Sequence, residues 1–204
     1  MDNYSDIRPY NDQEVAEVLQ RLLTNAELLD TIAKLRLPRL QHWFPRLVRP
    51  LVRSVLKRQL RGVATVRELQ HVIKHYMDDM IETTTTSFTV SGLENLDLRR
   101  PWLLISNHRD IALDPAFVNY ALYHNGGDTV RIAIGDNLLT KPFAADLMRL
   151  NKSFIVKRSA KGPRQMLAAY KNLSAYIRHS LSEERATVWL AQREGRAKDG
   201  IEAT

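Results

Sequence analysis

The chain has no cysteine, which excludes disulfides and thiolate chemistry and is compatible with a reducing cytoplasm. No run of about eighteen apolar residues occurs, so no transmembrane helix is expected. Met1-Asp2-Asn3-Tyr4-Ser5-Asp6 is acidic and polar, unlike a secretory signal. No G-x-G-x-x-G, no P-loop and no His/Asp/Glu group at metal-ligand spacing is present, so neither a metal nor a bound cofactor is expected. A fourth shortage is local. From Thr31 to Arg67 there is no Asp or Glu, against ten Lys or Arg: Lys34, Arg36, Arg39, Arg46, Arg49, Arg53, Lys57, Arg58, Arg61 and Arg67. The net charge is +7, and the remainder of the chain sums close to balance, so the anion-seeking surface reads as local.

Of 204 residues 44% are hydrophobic and 26% charged, enough for one large domain, or a main domain with a helical annex, with a substantial core and a soluble surface. Val15, Val18, Leu19, Leu22 and Leu23 recur at helical spacing within 12–35. Pro38 and Pro45 break the pattern around His42-Trp43-Phe44, and a second helix is expected from about Arg46 with Pro50 in its first turn. On its wheel Leu47, Val48, Leu51, Val52, Val55 and Leu56 fall on one side, and Arg46, Arg49, Arg53, Lys57 and Arg61 on the other. A third helix is expected over 66–82. The character changes at Thr83-Thr84-Thr85-Thr86. Strands are expected around Phe88–Gly92, Leu103–Ile105, Arg131–Ile134, Phe154–Val156 and Thr187–Ala191, and helices over 114–123, 143–150 and 163–181. This alternation predicts an α/β fold, a mostly parallel sheet flanked by helices, behind an N-terminal helical segment. The expected division is 1–82 helical and basic, 83–204 α/β.

The chemistry concentrates where the apolar run Trp102-Leu103-Leu104-Ile105, read as a buried strand, gives way to Ser106-Asn107-His108-Arg109-Asp110-Ile111-Ala112-Leu113-Asp114-Pro115. A histidine at a strand end supplies a base near neutral pH, and a nearby carboxylate, Asp110 or Asp114, can hold its tautomer. His108-Arg109-Asp110 also mimics a kinase catalytic loop, but Pro115 stands where that loop needs an asparagine, and no Asp-Phe-Gly follows.

Asn107-His108 with the following aspartate resembles the first motif of the glycerophospholipid acyltransferases, the lysophosphatidic acid acyltransferase group. Gly135-Asp136-Asn137 followed by Phe154-Ile155-Val156-Lys157-Arg158 is similar to their second block. Val188-Trp189-Leu190-Ala191-Gln192-Arg193-Glu194-Gly195-Arg196 is similar to their third, and Val90-Ser91-Gly92-Leu93-Glu94-Asn95-Leu96 looks like the turn before the histidine. The resemblance runs over residues 86–200. His108 to Asp114 encloses five residues, one more than the family spacing; Pro115 and the apolar residues after it favour Asp114 over Asp110. Arg193 and Arg196 stand where the family has proline and threonine. The family's fourth block is missing before Thr204, which suggests a truncated product.

The resemblance implies an O-acyltransferase that moves a fatty acyl group from a thioester, acyl-CoA or acyl-carrier protein, to a hydroxyl of a glycerophosphate or lysophospholipid. His108 is then the general base and Asp114 its partner. Asn107, Arg109, Arg158, Glu194, Gly195 and Arg196 are candidates for substrate binding, arginine being suited to phosphate. The basic stretch, with Trp43, Phe44, Arg46, Arg49, Arg53 and Lys57 as contacts, suits an anionic membrane surface better than nucleic acid or an ordinary solvated face whose apolar side packs on the sheet. A cytoplasmic protein peripheral to the inner face of a membrane is therefore expected. The alternative is an acyltransferase-fold module that binds an anionic surface without turnover.

Overall fold

The computed structural model describes residues 4–107 and 109–192. Within them the contacts form two compact units that interleave in sequence. One comprises residues up to Pro9, Lys74–Leu138 and the chain from Lys152 onward; the other comprises Tyr10–Ile73 and Leu139–Asn151.

The first unit is α/β. Strands β1 (Leu103–Ser106), β2 (Arg131–Gly135), β3 (Ser153–Val156) and β4 (Val188–Ala191) form one sheet in the order β1-β4-β2-β3, every pair parallel. Successive strand residues face opposite ways, and Val188 and Trp189 show the result. Val188 joins Phe154, Tyr176 and Ile7 in a core under α8 (Pro163–Ser182). Trp189 joins Ile132, Val130 and Leu122 in a core under α6 (Leu113–His124). Both faces of the parallel sheet are thus covered by helix, as expected when crossovers supply the helices. Residues 4–9 belong here too: Ile7 is buried, and its carbonyl accepts from the Ile155 N–H at 2.8 Å, beside β3.

Two strand expectations fail. No strand forms over 88–92. Phe88 instead places its ring 5.2 and 5.3 Å from those of Phe117 and Tyr120 on α6, and Gly92 takes a left-handed φ of 87° to start a 3-10 turn. Nor is β1 fully buried. It is an edge strand, only Leu104 reaches a core cluster, and Ile105 is 55% exposed.

The second unit contains α1 (Asp12–Thr24), α2 (Ala26–Arg36), α3 (Pro38–Trp43), α4 (Pro45–Gln59) and α7 (Pro142–Leu150). Helix α5 (Val66–Thr84) begins in it and continues into the other unit. The single helix expected over 12–35 is broken at Asn25, whose side chain accepts from the Leu28 N–H at 2.9 Å and so caps α2. Pro45 rather than Pro50 takes the first turn of α4, and Pro50 lies inside the helix, where it supplies no N–H.

The wheel of α4 divides more finely than expected. Val48 and Val52 are 3% and 6% exposed against Leu29 and Ala33 of α2, whereas Leu47 is 69% exposed and Leu51 and Val55 are exposed beside it. One helix can cover only part of so wide an apolar arc.

Helix α7 lies in sequence between β2 and β3 but packs on α1, with Leu150 fully buried among Val15, Val18 and Leu22. Asp146 fastens it. Arg21 donates through two nitrogens to its two carboxylate oxygens at 2.8 Å each, and the Tyr10 hydroxyl donates at 2.8 Å. Burial pushes the Asp146 carboxyl up, but the Arg21 and Tyr10 hydrogen bonds outweigh it and hold the group below the ordinary carboxylate range.

Candidate active site

The C-terminal edge of a parallel sheet is where α/β folds build sites. β1 is tied down at that edge. The Trp189 Nε1–H donates to the Ser106 hydroxyl at 3.0 Å, and the Gln192 N–H donates to the Ser106 carbonyl at 2.9 Å. The exposed Asn107 follows. His108 lies outside the described residues, but the turn after it is closely defined. The Asp114 Oδ2 accepts the N–H groups of Arg109 and Asp110 at 2.6 and 3.0 Å. The Asp110 Oδ1 accepts those of Ala112 and Leu113 at 2.9 and 2.8 Å.

The two aspartates therefore do different jobs. Asp110 turns the chain into α6, whereas Asp114, expected at the N-cap, sits inside the first turn and reaches back to the loop. That brings one of its carboxylate oxygens to the residue directly after His108. Arg109 is exposed on the same loop.

At the ends of β2 and β3, Asp136 organises the second loop. Its Oδ1 accepts from the Arg158 N–H at 3.0 Å, and its carboxylate also takes the N–H and hydroxyl of Ser159. Burial raises the Asp136 carboxyl, yet these bonds, the Ser159 hydroxyl foremost, hold it below its ordinary value. Arg158 crosses Gly135. A Cβ there would lie 3.0 Å from the Arg158 Cδ and 2.3 Å from the Asn137 Oδ1, so the glycine is needed for the close approach. Asp136 belongs to a motif legible in sequence, but its role in placing Arg158 depends on a contact across 22 residues.

The ends of β1 and β3 lie three strand spacings apart, about 14 Å, and β4 runs between β1 and β2. Glu194, Gly195 and Arg196 follow β4 in sequence and lie outside the described residues. Among the described residues no group of three or more His, Asp or Glu side chains is arranged to hold a metal. A cleft lined by Arg99, Arg100, Trp102, Asp128, Arg185 and Thr187 opens at the opposite end of β1 and β4, away from these loops.

A family model described as Acyltransferase matches residues 87–200, which spans all four strands and both loops. The chain belongs to the acyltransferase family. No curated protein matches the chain.

The remaining candidates sit in the helical unit of this acyltransferase. Trp43 and Phe44 are exposed where α3 meets α4, and Arg46, Arg53 and Lys57 are exposed along α4. Arg49 is different, because it forms a two-point pair with Asp30 (Nε to Oδ1 2.9 Å, a terminal nitrogen to Oδ2 2.6 Å). Its hydrogen bonds hold the Asp30 carboxyl below the ordinary range. The exposed apolar residues Leu47, Leu51 and Val55 were missed as surface candidates, since helical periodicity alone assigns them to the packed side.

Proposed function

We propose that this acyltransferase moves a fatty acyl group from a thioester donor to a hydroxyl of a glycerophosphate or lysophospholipid at an anionic membrane surface. The observation that carries the reading is the pairing of two loops at one sheet edge. One holds the Asp114 carboxylate against the turn after Asn107-His108, and the other lays Arg158 across Gly135.

In this mechanism His108 accepts the proton of the acceptor hydroxyl as its oxygen attacks the thioester carbonyl carbon. Asp114 positions the imidazole and stabilises its charged form. The tetrahedral intermediate collapses with rupture of the C–S bond, and the imidazolium returns the proton to the leaving thiolate. Arg158, joined by Arg196, binds the acceptor phosphate. Asn107 and Arg109 bind substrate from the first loop, and Glu194 and Gly195 contribute to substrate binding. No bound cofactor is required, since the donor itself is acyl-CoA or acyl-carrier protein.

The α3–α4 surface supports the membrane part of the reading. Trp43 (74% exposed), Phe44, Leu47 and Leu51 form an apolar strip flanked by Arg46, Arg53 and Lys57 with no acid in the same stretch. An apolar strip with cationic flanks fits the headgroup region of an anionic bilayer.

The test is acyl transfer from palmitoyl- and oleoyl-CoA to glycerol 3-phosphate and a panel of lysophospholipids, with products read by mass spectrometry. His108→Ala is expected to lower turnover about 100- to 10,000-fold, and Arg158→Ala to raise the KM for phosphorylated acceptors. Full activity in His108→Ala would overturn the mechanism. Vesicle binding without product from any acceptor would favour the non-catalytic module.

A further inference from the structure

The charge imbalance is not confined to residues 31–67. Residues 147–182 also contain no Asp or Glu, and they carry Arg149, Lys152, Lys157, Arg158, Lys161, Arg164, Lys171 and Arg178. Three of these recur every seventh residue along α8: Arg164, Lys171 and Arg178. Seven residues bring a helix back to nearly the same azimuth, so the three cations form a row with steps of about 10 Å and a length of about 21 Å. All three are exposed, and none makes an ion pair among the described residues.

The opposite side of α8 is committed to the core through Leu173, Tyr176 and Ile177. The cationic row has no such duty. Beside it Leu167 and Tyr170 are exposed, and Tyr170, Lys171, Ser174, Ala175 and Arg178 line a shallow groove. Pro163 follows Arg158 by five residues, so α8 sets out from the sheet edge that carries both loops of the candidate site.

We propose that this outer face of α8 is the docking surface for the acyl donor in the form of an acidic acyl-carrier protein. The proposal rests on the acyl-transfer reading above. The geometry selects among anionic partners. A coenzyme A molecule carries its phosphates close together and has no use for Arg178, about 21 Å along the helix from Arg164. A bilayer rewards a continuous apolar stripe, but the apolar residues here are confined to one end while the cations run the whole length. An acidic helix laid along α8 meets each cation with a carboxylate. The exposed Leu167 and Tyr170 fall toward the end nearest the site, where the acyl-bearing arm must enter. Such complementarity acts mainly on encounter rate and register.

The decisive variant is Arg164→Glu/Lys171→Glu/Arg178→Glu in the full chain, with the corresponding triple glutamine variant as a milder partner and circular dichroism as the folding check. Binding of palmitoyl-carrier protein is measured by fluorescence anisotropy, and turnover with palmitoyl-carrier protein is compared with turnover on palmitoyl-CoA. The glutamate variant is expected to raise the carrier Kd and carrier KM about tenfold or more. The glutamine variant should fall between, and the KM for palmitoyl-CoA should not change. Wild-type carrier affinity should also fall as salt rises.

Unchanged carrier binding in the folded glutamate variant would overturn the proposal. Equal losses with both donors would overturn it as well, and a parallel loss of binding to phosphatidylglycerol-containing vesicles would assign the row to the bilayer. Carrier binding that depends on the row, without product from either donor, would leave the docking surface standing and remove the acyl-transfer reading.

Discussion

Helices α4 and α8 have the same charge character and different apolar content. Each lies in an acid-free stretch and exposes a set of cations. On α4 the cations flank Leu47, Leu51 and Val55, and Trp43 and Phe44 are exposed just before the helix. On α8 they are spaced along a line with only Met166, Leu167 and Tyr170 exposed at one end. Under the two proposals, charge alone calls for an anionic partner without naming its kind. The apolar groups between the cations are what the proposals use to separate a bilayer surface on α4 from a protein-docking surface on α8.

That contrast is sharpened most by Leu47→Glu/Leu51→Glu. Burying a leucine in an apolar phase is worth about 2 kcal/mol, so partitioning onto anionic vesicles should fall about 100-fold or more in a sedimentation assay. The glutamate variant of α8 should leave that partitioning unchanged. If instead both variants weaken vesicle binding equally, the distinction between the two helices collapses.

A smaller effect concerns the scaffold behind α4. Asp146→Asn removes the charge that Arg21 and Tyr10 surround, and should lower the stability of the helical unit by about 2 kcal/mol in urea unfolding at neutral pH. The folded Asp146 carboxyl sits below its unfolded value. Its stabilisation is thus complete above the ordinary carboxylate range, and is lost as pH falls through the depressed folded value. In acid the variant and the wild type should converge; a gap that stays constant down to pH 2 would rule out this origin.

The smallest expected change is Asn25→Ala, about 1 kcal/mol from loss of the α2 cap. It should appear as a lower midpoint for the helical unit with carrier binding at α8 unaffected.

Much of the sheet unit is legible in the sequence. From Leu103 onward strands and helices alternate as expected, because short apolar runs end at local signals such as Gly135, Pro142, Pro163 and the polar residues after Ser106. The strand expected near Phe88 failed for the converse reason. A β-like stretch forms a strand only where a neighbour is available to pair, and Phe88 found α6 instead. In the helical unit the same limit applies. Leu47 and Val48 are adjacent and equally apolar, yet only Val48 meets α2.

The site shows where the division lies. The order of chemical groups along the chain, Asn107-His108, Asp110, Asp114, Gly135-Asp136, Arg158, was sufficient to place the family and to single out candidates for a base, its carboxylate partner and a phosphate-binding arginine. Residue order carries that information because the spacing of motif residues is a property of the chain itself. Tertiary structure alone decided that Asp114 folds the loop after His108 while Asp110 turns the chain into α6, that Asp136 places Arg158, and that α7 packs with helices far from it in sequence. Hydrogen bonds and burial belong to pairs of groups, and the partner of each of these residues is chosen by the fold rather than by its neighbours along the chain.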